Sequence, residues 1–191
     1  MKYAKKPISD ILRSSNTVFT FKDISIIWGV TDKKAAIASV NYYVKTGGLH
    51  RIRRGIYAKD RNYDRFELAT KIYTPSYISF ETVLTKAGII FQYYGQIFVA
   101  SYLTREITAD RETYIYKKIK DAILTNGVGI EHKGNYSIAS PERAFLDTIY
   151  LYKDYHFDNY KSLNREKVFE MLPIYGGNTR MEKTVKNFYG A

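Results

Sequence analysis

The stretch that decides the fold is TDKKAAIASVNYYVKTGGLHRIRRGIY, residues 31–57. Thr31 is expected to cap a helix, because its hydroxyl can accept from the unpaired backbone N–H groups of a first turn. Asp32 suits the positive end of the helix dipole. Gly47 and Gly48 are expected to end the helix, since glycine adopts left-handed backbone conformations without strain.

The two faces of this helix are predicted from its spacing. Ile37, Val40 and Val44 recur at helical intervals and are expected to face the core. The opposite face is predicted to carry Ala35, Ala38, Ser39, Tyr42 and Lys45. Small side chains there would let the helix lie deep in a DNA major groove, where serine can bond base edges and alanine can touch a thymine methyl.

A short basic hairpin is predicted after the glycines, with its turn near Arg54 and Gly55. Alternation along a strand would send Arg51 and Arg53 to one side, with Arg54 at the tip. Three guanidinium groups on one hairpin suit contact with phosphates or with the minor groove.

Two further helices are predicted in the residues before this stretch. Residues 7–15 are predicted to form a first helix, and Thr20 with Asp23 has capping-box spacing for a second. Trp28 is expected to lie in the core beside this second helix. A helix, a glycine-containing turn, a second helix and a hairpin are the order of a winged helix-turn-helix, which binds DNA. We expect this domain to span residues 1–62, because Lys59 to Tyr63 is polar and turn-like.

The charge distribution favours the same function. The chain carries 30 lysines and arginines against 19 acids, a net charge of +11. Thirteen of those basic residues and only four of the acids lie in residues 1–62, which gives that third +9. A polyanion such as double-stranded DNA is the expected partner. The residues predicted to contact DNA are Thr31, Lys33, Lys34, Ser39, Tyr42, Lys45, Arg51, Arg53 and Arg54.

Composition limits the other classes. The chain has no cysteine, so disulfides, thiol catalysis and cysteine-ligated zinc are excluded. No apolar run is long enough for a membrane span, and the first residues lack the apolar core of a signal peptide. We therefore expect a cytoplasmic protein that does not contact membranes. Its three histidines stand apart from other ligand types, so neither a metal nor a cofactor is expected.

Residues 63–191 are predicted to form an α+β domain with a small mixed or antiparallel sheet. Short strands are expected at 96–103, 114–119, 129–132 and 136–138, and helices at 165–172 and 179–189. Ser79 is expected to cap another helix. The clearest helix start is Ser140-Pro141-Glu142-Arg143, with serine as N-cap and proline in the first turn.

Three separated segments together resemble the AbiEi family of antitoxins. They are Arg54-Gly55-Ile56-Tyr57, then Tyr77 to Leu84 (YISFETVL) followed by Gly88-Ile89-Ile90, and Ser140 to Asp147 (SPERAFLD). The resemblance covers about residues 8–152. It implies a type IV toxin–antitoxin component that is not an enzyme and whose winged helix binds promoter DNA and represses its own operon. It also implies a C-terminal domain that counters a nucleotidyltransferase-like toxin, with or without a stable complex.

Two other interpretations remain open. Asp121 followed by Glu131 and Lys133 matches the acids and lysine of metal-dependent nucleases, in which carboxylates hold Mg²⁺. The alternative function is therefore a nuclease with a winged-helix targeting domain. The 19 tyrosines also allow a protein-interaction module, which would have no DNA affinity beyond that of any basic protein.

Overall fold

The computed structural model describes residues 7–190. Lys2, Lys5 and Lys6, which contribute to the predicted basic third of the chain, lie outside the described residues. The chain is α+β and divides into two compact units, one ending at Ile72 and the other beginning at Tyr73.

The first unit combines helices with a three-stranded antiparallel sheet whose strand order is β1-β3-β2. Its elements are α1 (Ser9–Arg13), β1 (Val18–Thr20), α2 (Phe21–Ile27), α3 (Lys33–Lys45), β2 (His50–Arg53), β3 (Ile56–Ala58) and α4 (Arg65–Ile72). Strand β1 was not predicted, because three residues are too few to show an alternating pattern.

Helix α4 belongs to the first unit, whereas the predicted boundary after residue 62 assigned it to the second. The carboxylate of Glu67 on α4 explains this. Its Oε2 accepts from the backbone N–H of Thr17 at 2.8 Å and from the Thr17 hydroxyl at 2.7 Å. The polar turn at Lys59 to Tyr63 is therefore a loop within the first unit.

Helix α2 begins as the sequence predicts. The Thr20 hydroxyl accepts from the Asp23 N–H at 3.1 Å, and the Asp23 carboxylate accepts from the Thr20 N–H at 2.9 Å. Trp28 is buried in the core of this unit, and its indole N–H donates to the carbonyl of Pro7 at 2.9 Å. The capping box and the core position of Trp28 are both confirmed.

Helix α3 differs from the prediction at its start and in the positions of Ile37 and Ser39, whereas Val40 is buried as predicted. Asp32, not Thr31, is the N-cap, and its carboxylate accepts from the Lys34 N–H at 2.8 Å. The buried side of the helix carries Ala36, Ser39 and Val40, while Ile37 is 41% exposed. The prediction assumed that the larger apolar side chains face the core. The small side chains of Ala36 and Ser39 instead let the helix approach the core closely.

The second unit is built on a six-stranded sheet of order β6-β7-β5-β4-β9-β8. Its elements are β4 (Ser76–Ile78), α5 (Glu81–Lys86), β5 (Gln96–Ser101), β6 (Arg105–Ala109), β7 (Glu112–Lys118), α6 (Asp121–Leu124), β8 (Ile130–Lys133), β9 (Tyr136–Ala139), α7 (Pro141–Leu151), a 3-10 helix (Tyr160–Ser162), α8 (Arg165–Met171), a second 3-10 helix (Leu172–Tyr175) and α9 (Thr179–Tyr189). The pairs β5–β7 and β4–β9 are parallel and the rest antiparallel, so the sheet is mixed.

Two helix starts in this unit test the capping predictions. Ser140 caps α7, since its hydroxyl accepts from the Arg143 N–H at 3.2 Å. Ser79 does not cap α5, because Phe80 with a φ of 54° stands between them. The Ser79 hydroxyl donates instead to Asp147 at 2.8 Å. Within residues 7–190 no helix has the length and apolar character needed to cross a bilayer.

Candidate nucleic-acid interface

The outer side of α3 is an exposed stripe of cationic, polar and small side chains. Lys34, Ala38, Asn41 and Lys45 are all exposed and follow one another at intervals of three or four residues, so they share one side of the helix. Ile37 and Tyr42, 41% and 39% exposed, flank them. This side combines positive charge with groups that can contact base edges and methyl groups.

The β2–β3 hairpin turns at Arg54 and Gly55. Gly55 has a φ of 81°, a left-handed conformation that glycine adopts without strain. The pairing of β2 with β3 shifts between Arg51 and Arg53, because Arg51 lies opposite Tyr57 and Arg53 opposite Ile56. The bulge breaks simple alternation, so the prediction that Arg51 and Arg53 project together fails at this irregularity.

The three hairpin arginines therefore have different surroundings. Arg51 and Arg54 are exposed, whereas Arg53 is half-buried. The Nη1 atom of Arg53 is buried and has no hydrogen-bond partner among residues 7–190. Because this nitrogen is buried, Arg51 and Arg54 are the hairpin arginines accessible to a partner.

Helix α3 and strand β2 are joined by a side-chain contact. Arg51 Nη2 donates to Asn41 Oδ1 at 2.8 Å, and the guanidinium carbon lies 5.7 Å from the centre of the Tyr57 ring. The contact holds the Arg51 guanidinium against the exposed stripe of α3. Asn41 is not among the residues predicted to contact DNA, although its spacing from Lys34, Ala38 and Lys45 identifies it once the orientation of α3 is known.

The predicted DNA-contacting residues are thus only partly together on one surface. Seven of the nine predicted residues are exposed, namely Thr31, Lys33, Lys34, Tyr42, Lys45, Arg51 and Arg54. Ser39 is only 5% exposed, so its predicted position on the outer face is wrong. It lies one residue before buried Val40 and three after buried Ala36, which puts it on the inner side of the helix.

The SPERAFLD segment of the second unit holds a buried ion pair. Arg143 and Asp147 have no exposed surface, and Arg143 Nε donates to Asp147 Oδ1 at 3.3 Å. The same carboxylate accepts from the hydroxyls of Tyr175, Ser79 and Tyr77 at 2.7, 2.8 and 3.0 Å. Burial raises the pKa of Asp147, and Arg143 and these hydroxyls act against the rise.

Arg143 also binds the backbone. Its Nη1 donates to the carbonyl of Val128 and its Nη2 to that of Ile123, both at 2.7 Å. One helix side chain thereby fixes the segment between α6 and β8. This network accounts structurally for the arginine and the aspartate of the motif, as well as for Tyr77 and Ser79 of the YISFETVL segment.

The residues of the nuclease interpretation occupy surface positions. Lys133 Nζ lies 3.3 Å from Glu131 Oε2, with both side chains more than half exposed, and Asp121 is in the first turn of α6. Over residues 7–190, no three or more histidine, aspartate or glutamate side chains are grouped so that they could hold a metal ion.

In comparisons with known proteins, no family model matches the chain and no curated protein matches it.

Proposed function

We propose that this protein binds double-stranded promoter DNA through a winged helix-turn-helix formed by its first unit. In this proposal α2 and α3 are the helix-turn-helix, α3 lies in the major groove, and the β2–β3 hairpin is the wing. The observation that carries the proposal is the exposed stripe of α3 joined by the Asn41–Arg51 hydrogen bond to a hairpin with two further arginines.

The charges of this surface support a polyanionic partner. Lys33, Lys34 and Lys45 on α3 and Arg51 and Arg54 on the hairpin are exposed. Lysine and arginine contacts with phosphates release condensed counterions, so affinity should fall steeply with salt. Ala38, Asn41 and Tyr42 lie beside these cations on α3 and can contact base edges. Such contacts can distinguish DNA sequences, whereas phosphate contacts alone cannot.

We further propose that the protein is an antitoxin of a type IV system that represses its own operon and counters a nucleotidyltransferase-like toxin. The resemblance of three segments to the AbiEi family supports this part. Repression would reside in the first unit and toxin counteraction in the second. A cytoplasmic location belongs to the same proposal.

Separating the two activities tests the proposal. We expect the Lys34→Ala/Arg54→Ala variant to lose repression of a reporter placed behind the DNA upstream of its gene. It should still rescue growth when co-expressed with the product of the adjacent reading frame. The control variant Lys167→Ala/Lys183→Ala also loses two positive charges, at exposed positions of the second unit, and should leave repression unchanged.

A nuclease would behave differently. Plasmid incubated with the protein and Mg²⁺ should stay intact under the proposed function. Cleavage that disappears in a Glu131→Ala variant would contradict it and establish the alternative reading.

A further inference from the structure

We propose that the second unit binds an arginine side chain of a partner protein in a cleft between residues 90–94 and 154–158. The cleft has a volume of about 320 Å³. Aromatic rings of Phe91, Tyr94 and Tyr155 and the carboxylates of Asp154 and Asp158 line it. The proposal concerns a surface separate from the proposed DNA interface and does not rest on it.

One aromatic side chain of this cleft, Phe91, is exposed although its backbone is held in place, whereas Tyr94 and Tyr155 are half-buried. Phe91 is 72% exposed and Tyr93, beside it in the chain, is 84% exposed. The Phe91 N–H donates to Asp158 Oδ2 at 2.8 Å, and the Asn159 N–H donates to the Ile89 carbonyl at 3.0 Å. Large apolar side chains presented on a fixed segment mark an interaction surface.

The charge of the cleft selects a cation. Asp154, Asp158 and His156 line it, and the His156 Nε2 lies 3.5 Å from Asp158 Oδ1, so Asp154 is the carboxylate without that neighbour. None of the described residues that line the cleft is a lysine or arginine. This is a local reversal in a chain of net charge +11. Carboxylates at this position disfavour the phosphates of a nucleic acid and favour a basic side chain.

Arginine fits better than lysine for a geometric reason. A planar guanidinium can stack on an aromatic ring while its N–H groups donate to a carboxylate, whereas an ammonium group offers no flat face. The exposed ring of Phe91 supplies a face, and Asp154, which is also exposed, supplies an acceptor. Arginine is also enriched at the centres of protein interfaces.

A second cleft adjoins the first and could bind the residues next to the arginine in the partner protein. Asp154 and Tyr155 also line this second cleft of about 430 Å³, whose walls combine the aromatic Tyr152, Phe157 and Phe188 with the polar Lys153, Thr184 and Asn187. The Tyr155 ring lies 4.9 Å from that of Phe157, centre to centre. The residue next to an arginine bound in the first cleft could therefore contact the aromatic rings on one wall of the second cleft. The occupant we infer is an extended segment that carries both.

Full-length protein titrated with Ac-Gly-Arg-Gly-NH₂ tests the inference by two-dimensional ¹H–¹⁵N NMR. We expect saturable shifts of the Phe91, Tyr94 and Asp158 amides. The citrulline analogue, which keeps the shape without the charge, should bind at least about fivefold more weakly. Asp154→Asn should weaken the arginine peptide by about the same factor. The matched control Asp121→Asn removes an exposed acid elsewhere in the second unit and should change nothing.

Three results would overturn the inference. They are equal affinity for the arginine and citrulline peptides, unchanged affinity in Asp154→Asn, and no saturable shift at these amides. Stronger shifts of the same amides by a thymidine oligonucleotide would assign the cleft to nucleic acid instead. A monomer–dimer equilibrium abolished by Phe91→Ala would assign it to a second copy of the chain.

Discussion

Asn41 on α3 accepts a hydrogen bond from the Arg51 guanidinium on β2 at 2.8 Å. The contact orients an exposed arginine beside the helix that we propose to enter the major groove. An arginine held there can donate two hydrogen bonds to a guanine, which is the commonest base-specific contact in protein–DNA complexes. Asn41 would then act as a positioning residue for Arg51.

The first prediction concerns this pair. Asn41→Ala should lower affinity for a promoter fragment severalfold in the wild-type background. It should have little effect in an Arg51→Ala background, because the residue that Asn41 orients is then absent. Fluorescence anisotropy of the four proteins in a double-mutant cycle measures the coupling, and strictly additive losses would show that the two residues act independently.

The second prediction concerns salt. Arg54→Ala should reduce the slope of log affinity against log salt concentration by about 0.9, because one phosphate contact is lost. The same loss is expected on promoter and unrelated DNA. Lys167→Ala removes one exposed charge from α8 and serves as the control. A slope that changes equally in both variants would indicate an effect of net charge alone.

The third prediction compares neighbouring residues of α3. Ser39 is buried and Ala38 is exposed. Ser39→Leu should therefore cost about 1–3 kcal/mol of unfolding free energy through overpacking. Ala38→Leu should leave stability nearly unchanged and instead weaken DNA binding by blocking the groove-facing side. Urea denaturation and anisotropy distinguish the two. If Ser39→Leu leaves stability unchanged and weakens DNA binding as Ala38→Leu does, the outer-face position predicted for Ser39 would be restored.

The fourth prediction concerns how the free energy of unfolding changes with pH because of Asp23. Burial alone would raise the pKa of Asp23, but the Thr20 N–H and the Lys71 ammonium, whose Nζ lies 3.0 Å from Asp23 Oδ2, outweigh it and hold the pKa below its usual range. A carboxyl group whose pKa is lowered by folding stabilises the folded state at pH values above its ordinary pKa. This contribution is lost as the pH falls through the lowered pKa. The stability advantage of wild type over Asp23→Asn should therefore be constant at neutral pH and shrink below about pH 4.

Denaturant titrations of both proteins between neutral and acidic pH measure this difference. An advantage that grows on acidification would contradict the assignment, since it would require a raised pKa in the folded protein.

The fifth prediction concerns a buried pair in the second unit. Lys117 Nζ lies 2.8 and 2.7 Å from the two carboxylate oxygens of Glu81, and 4.4 Å from the centre of the Phe98 ring. Lys117→Met should cost about 3–5 kcal/mol, because it leaves the Glu81 charge buried without its partner. The double change Glu81→Met/Lys117→Met should recover most of that loss. A double variant as unstable as the sum of the singles would contradict this account.

Local signals predicted much of the fold. Capping chemistry at Thr20 and Ser140 marked helix starts correctly, whereas the cap predicted at Ser79 was wrong because that hydroxyl bonds the distant Asp147. Strands β5 and β7, whose central residues are β-branched or aromatic, were also predicted. Strands β4 and β6 were missed, since β4 has three residues and β6 is a largely polar edge strand.

Properties set by distant contacts were not predictable in the same way. The buried face of α3 depends on what packs against it, so Ser39 was placed on the wrong side. The bulge in β2 separates Arg51 from Arg53, and no local pattern encodes it. The contact between Asn41 and Arg51 spans a helix end and a turn, so only the folded chain reveals it.

The central claim is that the first unit reads a DNA sequence. The most direct test is competition at physiological salt between the DNA upstream of the gene and a scrambled duplex of equal length and composition. We expect the upstream DNA to bind at least about a thousandfold more tightly, as for specific DNA-binding proteins in general. The preference should fall sharply in Arg51→Ala. Equal affinity for the two duplexes, in wild type and variant alike, would contradict it.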